Sequence, residues 1–163
     1  MKIAELSALD REAFLAAIGH VYEDSPWVAE RTWLKRPFAS LDSLCEVMNT
    51  EVTSASHDEQ LALLRAHPDL GTRARIGEAS TREQAGAGLD RLTPDEHALL
   101  LRLNSEYKEK FGFPFLYAVK GSGKHQILKA LEGRLASTPE EEFAEALKQV
   151  FRIARFRLEG IIE

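Results

Sequence analysis

The sequence predicts an all-α fold, a single-domain helical bundle with one extended apolar segment near residues 111–119. Three observations carry this. Apolar residues recur at three- and four-residue spacing through most of the chain. Ser/Thr-x-x-Glu boxes mark three helix starts, at Ser80, Thr93 and Thr138. A sheet would need partner strands for the one segment that breaks helical spacing, and the sequence offers none.

The elements follow in order. Asp10 caps a helix over Leu9–Gly19 with Phe14, Leu15 and Ile18 on its apolar side. Ser25-Pro26 starts a short helix carrying Trp27 and Trp33, with proline at the first helical position. Ser40 precedes a stripe of Leu41, Leu44, Val47 and Met48. Glu59 to His67 repeats the pattern through Leu61, Leu63 and Leu64. Ser80-Thr81-Arg82-Glu83 reads as a capping box that opens the next helix. Thr93-Pro94-Asp95-Glu96 opens a helix to about Lys110, and Thr138-Pro139-Glu140-Glu141 opens one to about Leu158. Lys124 to Leu135 reads as a helix between them. Phe111-Gly112-Phe113-Pro114-Phe115-Leu116-Tyr117-Ala118-Val119 is apolar and aromatic, and Pro114 pushes its predecessor away from helix.

A length of 163 residues favours one domain with a core of its own. Lys and Arg total 21 against 26 Asp and Glu, a net charge of −5, which argues against a general nucleic-acid binder. Cys45 is the only cysteine, so no intrachain disulfide and no four-cysteine zinc site can form. A lone cysteine fits a reducing compartment. No apolar run approaches the roughly 20 residues of a membrane helix. Neither the first ten residues nor the final Glu159-Gly160-Ile161-Ile162-Glu163 reads as a targeting signal. The expectation is a soluble cytoplasmic protein with neither nucleic acid nor membrane as partner.

Several residues invite chemistry. Lys120-Gly121-Ser122-Gly123-Lys124 lacks phosphate-loop spacing and reads as a basic turn before a helix. The histidines at 20, 57, 67, 97 and 125 form no metal motif, and Cys45 lies on a buried stripe. His67 is followed by Pro68-Asp69-Leu70-Gly71, where the chain leaves a helix. It is read either as a cap on the last carbonyls or as a general acid, since a helix C-terminus favours imidazolium. Glu83 either completes a capping box or works in a site, whereas Gln84 has no capping duty. Ala85-Gly86-Ala87-Gly88 suggests close approach of another helix or of a ligand. Arg152, Arg155 and Arg157 lie in the last helix. Each either covers apolar surface with its stem or offers a fork to a carboxylate or imide.

The ordered set His67-Pro68-Asp69-Leu70, Ser80-Thr81-Arg82-Glu83-Gln84-Ala85-Gly86-Ala87-Gly88-Leu89, Leu103-Asn104 with Tyr107, Lys110-Phe111-Gly112-Phe113-Pro114-Phe115, and Arg152-Ile153-Ala154 with Arg157-Leu158 resembles one family over nearly the whole chain. The family is 2-oxo-4-hydroxy-4-carboxy-5-ureidoimidazoline (OHCU) decarboxylase, the last enzyme from urate to (S)-allantoin. The resemblance implies His67 and Glu83 as catalytic residues. It implies Pro68, Ser80, Gln84, the stretch Phe115, Leu116, Tyr117, Ala118 and Val119, and Arg157 rather than Arg155 as substrate-binding residues. It further implies an all-helical homodimer with no cofactor and no metal, OHCU as small-molecule substrate, association with other urate-route enzymes, and a bacterial-type cytoplasmic member.

That chemistry agrees with the residues. Decarboxylation leaves an electron pair that many enzymes pass to a cofactor. An oxidised imidazolone carries its own C=N and C=O sink, so the protein must orient the ring, stabilise charge and deliver a proton to one face. Backbone amides at Phe115–Val119 would read ring carbonyls, and Gln84 would donate to and accept from a ureido group. His67 would deliver the proton or polarise the hydroxyl, with Glu83 orienting it. The rival readings are a non-catalytic helical interaction module docking through Phe111–Val119, an enzyme for another ureido compound, and a metal-dependent hydrolase.

Overall fold

The computed structural model describes residues 1–71 and 78–163, without the side chains of 78–80. Among the described residues every regular element is a helix, as the apolar spacing predicts. They are α1 (Ile3–Ser7), α2 (Arg11–Ile18), α3 (Trp27–Trp33), α4 (Leu41–Thr53), α5 (His57–Arg65), α6 (Glu78–Gly86), α7 (Pro94–Phe111), α8 (Lys124–Arg134) and α9 (Pro139–Glu159). None of the described helices is long and apolar enough to cross a membrane.

Most starts are set by side-chain caps that satisfy otherwise orphaned amides. Asp10 accepts the Ala13 N–H at 2.8 Å and Ser40 the Ser43 N–H at 3.1 Å. The Thr93 box closes as expected: its hydroxyl accepts the Glu96 N–H at 3.2 Å, and Glu96 accepts the Thr93 N–H at 2.9 Å. Thr138 accepts the Glu141 N–H at 3.2 Å. Ser56 and Glu59 form a further box that opens α5 earlier than apolar spacing alone indicates.

Three expectations need correction. Pro26 occupies the cap position of α3 rather than its first helical residue. Ser80 does not cap α6, because the helix already runs from Glu78; its side chain lies outside the described residues. Gly86 is the last residue of that helix, and Gly88 lies beyond it. Gly88 turns left-handed at φ +81°, and the Leu89 N–H reaches back to the Gln84 carbonyl at 3.0 Å, a Schellman-type stop. A Cβ at either glycine would meet nothing within 4 Å, so no close helix approach explains them among the described residues.

The helices fall into two compact units. The first comprises Met1–Ala66 and Phe151–Glu163. It buries Leu6, Phe14, Ile18, Leu44, Met48, Val52, Leu63 and Leu64. Each such side chain contributes roughly 1.5–3 kcal/mol by leaving water. Cys45 is buried here, as its stripe predicts, and burial pushes its thiol upward in pKa, partly offset by Arg155.

The second unit is His67–Val150. Its α7 ends at Gly112, which is left-handed at φ +80°. The extended segment therefore begins at Phe113, two residues later than expected. Phe113, Phe115, Leu116, Ala118 and Val119 are all buried. Gly121 at φ +83° then turns the chain into α8, with the Ser122 N–H on the Val119 carbonyl at 3.0 Å, which confirms the turn reading of the Gly-Ser-Gly stretch.

Two predictions follow from this unit. Gly71 is left-handed at φ +73°, and a Cβ there would lie 2.4 Å from Leu100 Cδ2. Gly71→Ala should cost about 2 kcal/mol or more in urea melts, against about 1 kcal/mol for Gly121→Ala, where only the backbone term operates. Equal losses would show that buried Leu100 yields freely. The Lys124 ammonium, and next the Thr93 amide, hold the Glu96 carboxyl at about 2, below its ordinary 4.5. Such a group adds stability that is complete above pH 4.5 and lost as the pH falls through about 2. Lys124→Met should make stability fall less steeply across that window.

Candidate active site

The helix α5 stops at Arg65, and Pro68 prevents its continuation. The chain then runs through His67, Pro68, Asp69, Leu70 and Gly71. His67 is buried at 7% exposure, so it is held by the protein rather than lying on a solvated helix end. The loop is fastened from both neighbouring helices. Lys108 of α7 pairs with Asp69 at 3.4 Å. Asn104 Nδ2, also on α7, donates to the Leu70 carbonyl at 3.0 Å. The Gly71 N–H donates to Gln84 Oε1 of α6 at 2.8 Å.

The last two bonds hold one peptide group. The Leu70 carbonyl and the Gly71 amide belong to the same planar unit and point in opposite directions. Asn104 takes one end and Gln84 the other, and both side chains are buried. The partners also settle which way each amide faces. A carbonyl needs a donor, so Nδ2 of Asn104 faces Leu70; an N–H needs an acceptor, so Oε1 of Gln84 faces Gly71. Gln84 Oε1 is thus turned to the loop, and Nε2 is the end of its amide left without a partner among the described residues. Among the described residues no donor meets the buried Oδ1 of Asn104.

Glu83 precedes Gln84 on α6 and is half-buried, with its carbonyl accepting the Ala87 N–H at 3.2 Å. The bond from Gly71 to Gln84 therefore joins the helix bearing Glu83 to the loop bearing His67.

The extended segment has its own scaffold. The Ala118 N–H donates to Gln149 Oε1 at 2.9 Å, and Gln149 Nε2 donates to Glu145 at 2.9 Å. Arg134 of α8 donates to the Leu116 carbonyl and to Glu142, and its guanidinium sits 4.5 Å over the Phe115 ring. The Tyr107 hydroxyl donates to the same Glu142 carboxylate at 2.6 Å. Burial first, and the Glu142 bond second, push the Tyr107 hydroxyl far above its ordinary range, so it remains a donor. The segment is thus pinned at Leu116 and Ala118. The amides of Leu116, Tyr117 and Val119 take no part in its hydrogen bonds among the described residues. Tyr117 stacks on Phe115 with centroids 6.0 Å apart, and its hydroxyl bonds Ser122 Oγ at 3.0 Å.

The second unit therefore contains His67, Pro68, Glu83, Gln84 and Phe115 to Val119. Arg157 belongs to the first unit. There its guanidinium, 6% exposed, donates to Glu23 at 2.9 Å and to the Val21 carbonyl at 3.2 Å. Arg155 instead pairs at the surface with Asp42 at 2.6 Å and Glu159 at 3.0 Å. Among the described residues no three His, Cys, Asp or Glu side chains group in a way that could hold a metal ion.

The family model of OHCU decarboxylase matches residues 7–159. The chain belongs to the OHCU decarboxylase family. It is 47% identical over 161 residues to the 2-oxo-4-hydroxy-4-carboxy-5-ureidoimidazoline decarboxylase of Halalkalicoccus jeotgali, covering 99% of this chain and 92% of that protein. The protein of the same name from Haloferax volcanii is 45% identical over 158 residues, covering 97% and 94%. The crystal structure of (S)-allantoin synthase matches with a TM-score of 0.80 and 33% identity over 99% of this chain. This chain spans about half, 54%, of that longer one.

For a member of the OHCU decarboxylase family, three polar side chains that build this unit, Arg134, Glu142 and Gln149, carry no motif in the sequence, and Asn104 stands there only as part of the Leu103-Asn104 motif. A signal existed. Asn104 falls on the stripe of Leu100, Leu103 and Tyr107, and Glu142 shares a face with Ala146. A polar residue on a buried face must find a partner.

The Arg134–Glu142 pair yields a prediction. Their side chains are 14% and 1% exposed. Removing one partner strands the other charge, so Arg134→Met should cost about 3 kcal/mol in urea melts. The double variant Arg134→Met/Glu142→Leu should recover much of that loss; no recovery would show that Glu142 stabilises without Arg134.

Proposed function

We propose that this chain decarboxylates OHCU to (S)-allantoin, with the reacting ring held in the second unit by the His67 loop, α6 and the Phe115–Val119 segment. The observation that carries the site is the Gly71–Gln84 bond, which sets the helix of Glu83 and Gln84 against the loop of His67. Family membership carries the reaction: the chain is a carboxy-lyase acting in urate degradation.

The bond from the ring carbon to its carboxylate breaks, and CO2 leaves. The electron pair moves into the conjugated ring system, and a proton must then arrive on one face of the ring. His67 handles the proton, at the ring carbon or at the substrate hydroxyl, and Glu83 orients the imidazole. Pro68 contacts the substrate. The buried walls of Phe115 and Leu116 exclude water, which strengthens each polar contact inside. Amides of Leu116, Tyr117 and Val119 read ring oxygens, since Ala118 is committed to Gln149. The proposal includes a cytoplasmic homodimer that associates with the preceding enzymes of the urate route. Sedimentation of the purified chain tests the first association.

The decisive experiment generates OHCU in place from urate with uricase and hydroxyisourate hydrolase, and follows circular dichroism. Rapid growth of the (S)-allantoin signal on adding this protein is expected. Slow racemic product at the protein-free rate would overturn the proposal. His67→Asn should lower kcat by roughly 10²–10⁴-fold, the range for a lost acid–base group. Glu83→Gln should remove most activity with its melting curve nearly unchanged, because α6 needs no capping box at that residue. Full activity in Glu83→Gln would leave Glu83 a purely helical role.

A further inference from the structure

We infer that Asn104 is a positioning residue which, through the Leu70–Gly71 peptide, locks Gln84 as a hydrogen-bond donor that reads a carbonyl oxygen of the ligand. The inference rests on the proposed function for the identity of that ligand, an acceptor-rich ureido-imidazolone. The local geometry is independent of it. Asn104 fixes the Leu70 carbonyl at 3.0 Å, and the rigid peptide transmits that orientation to the Gly71 N–H, which holds Gln84 Oε1 at 2.8 Å. Gln84 then presents Nε2, which can only donate. Among the described residues no acceptor takes that nitrogen, though the side chain is 8% exposed.

A free glutamine amide would serve either a carbonyl or an N–H by turning over. This one cannot turn without setting Nε2 against the Gly71 N–H, donor against donor. The site therefore selects ligands with a carbonyl at this point and rejects those with an N–H, because a buried mismatch is penalised far more than a missing contact. Gly71 belongs to the same device, since its φ of +73° aims the amide at α6.

The test separates this lock from a general structural role by splitting KM from kcat in the (S)-allantoin assay. Asn104→Leu removes the donor at similar volume. It should raise KM about tenfold, the size of one oriented hydrogen bond, with kcat within about twofold. Gln84→Leu should raise KM at least as much. The double variant should be no worse than Gln84→Leu alone, because both act through one amide. Additive losses, or an unchanged KM in Asn104→Leu, would overturn the lock. Should Asn104→Leu not fold, the wild-type protein still decides. With ¹⁵N labelling, the Gln84 side-chain amide protons should shift on titration with (S)-allantoin, and protons that stay unmoved at saturation would overturn the inference. A wild-type protein that makes no (S)-allantoin would instead remove the functional reading and leave the lock to be judged by the amide signals alone.

Discussion

The second unit depends on one peptide group held at both ends. Beside the bonds to Asn104 and Gln84, the five residues from His67 to Gly71 are stiffened by a proline and tied by the Asp69–Lys108 pair. That pair is partly exposed and contributes little. The two amide bonds are buried, so breaking either strands a polar group away from water. Such groups are costly to leave unmatched, about 1–3 kcal/mol each, which makes the loop's conformation far narrower than its sequence suggests. Under the proposed function that narrowness serves the ligand-facing amide of Gln84, whose Nε2 it aims.

The extended segment solves a different problem with the same means. Under the proposed function, a backbone that reads a ligand must keep some amides unpaired while its neighbours hold it still. Leu116 and Ala118 are held, by Arg134 and Gln149, on alternate residues. The Arg134–Glu142–Tyr107 cluster is an expensive anchor, because two charges leave water to build it. An apolar anchor of equal volume could pack Phe115, but it could not grip a carbonyl. The cluster is better explained by the orientation of residues 115–119 than by stability.

Legibility in the sequence followed the range of the interactions. Helices α7 and α9 were readable almost to the residue, because a threonine cap, a glutamate three residues on and a proline at the first position are local and mutually reinforcing. The Ser80 box looked similar but lacked the proline, and the helix starts at Glu78 instead. A Ser-x-x-Glu spacing also occurs within helices, where it signals nothing. The five residues of α1 are too few to show a period. In the site, His67 stood out through Pro68 and Gln84 through its lack of a capping duty. Their connection did not, since Gly71 lies 13 residues from Gln84 and Leu70 lies 34 from Asn104. Apolar spacing says which face is buried, but not which buried polar groups will meet.

In the proposed reaction the charge of the donor bears on how a carboxyl group is made to leave. A guanidinium beside the substrate carboxylate would bind it strongly and so stabilise the ground state, because that charge disperses into the ring as CO2 departs. Gln84 instead offers a neutral, directed N–H group, held in place by the Gly71 bond at 2.8 Å. Such a donor is strong in geometry and weak in charge, which favours decarboxylation over tight binding of the acid.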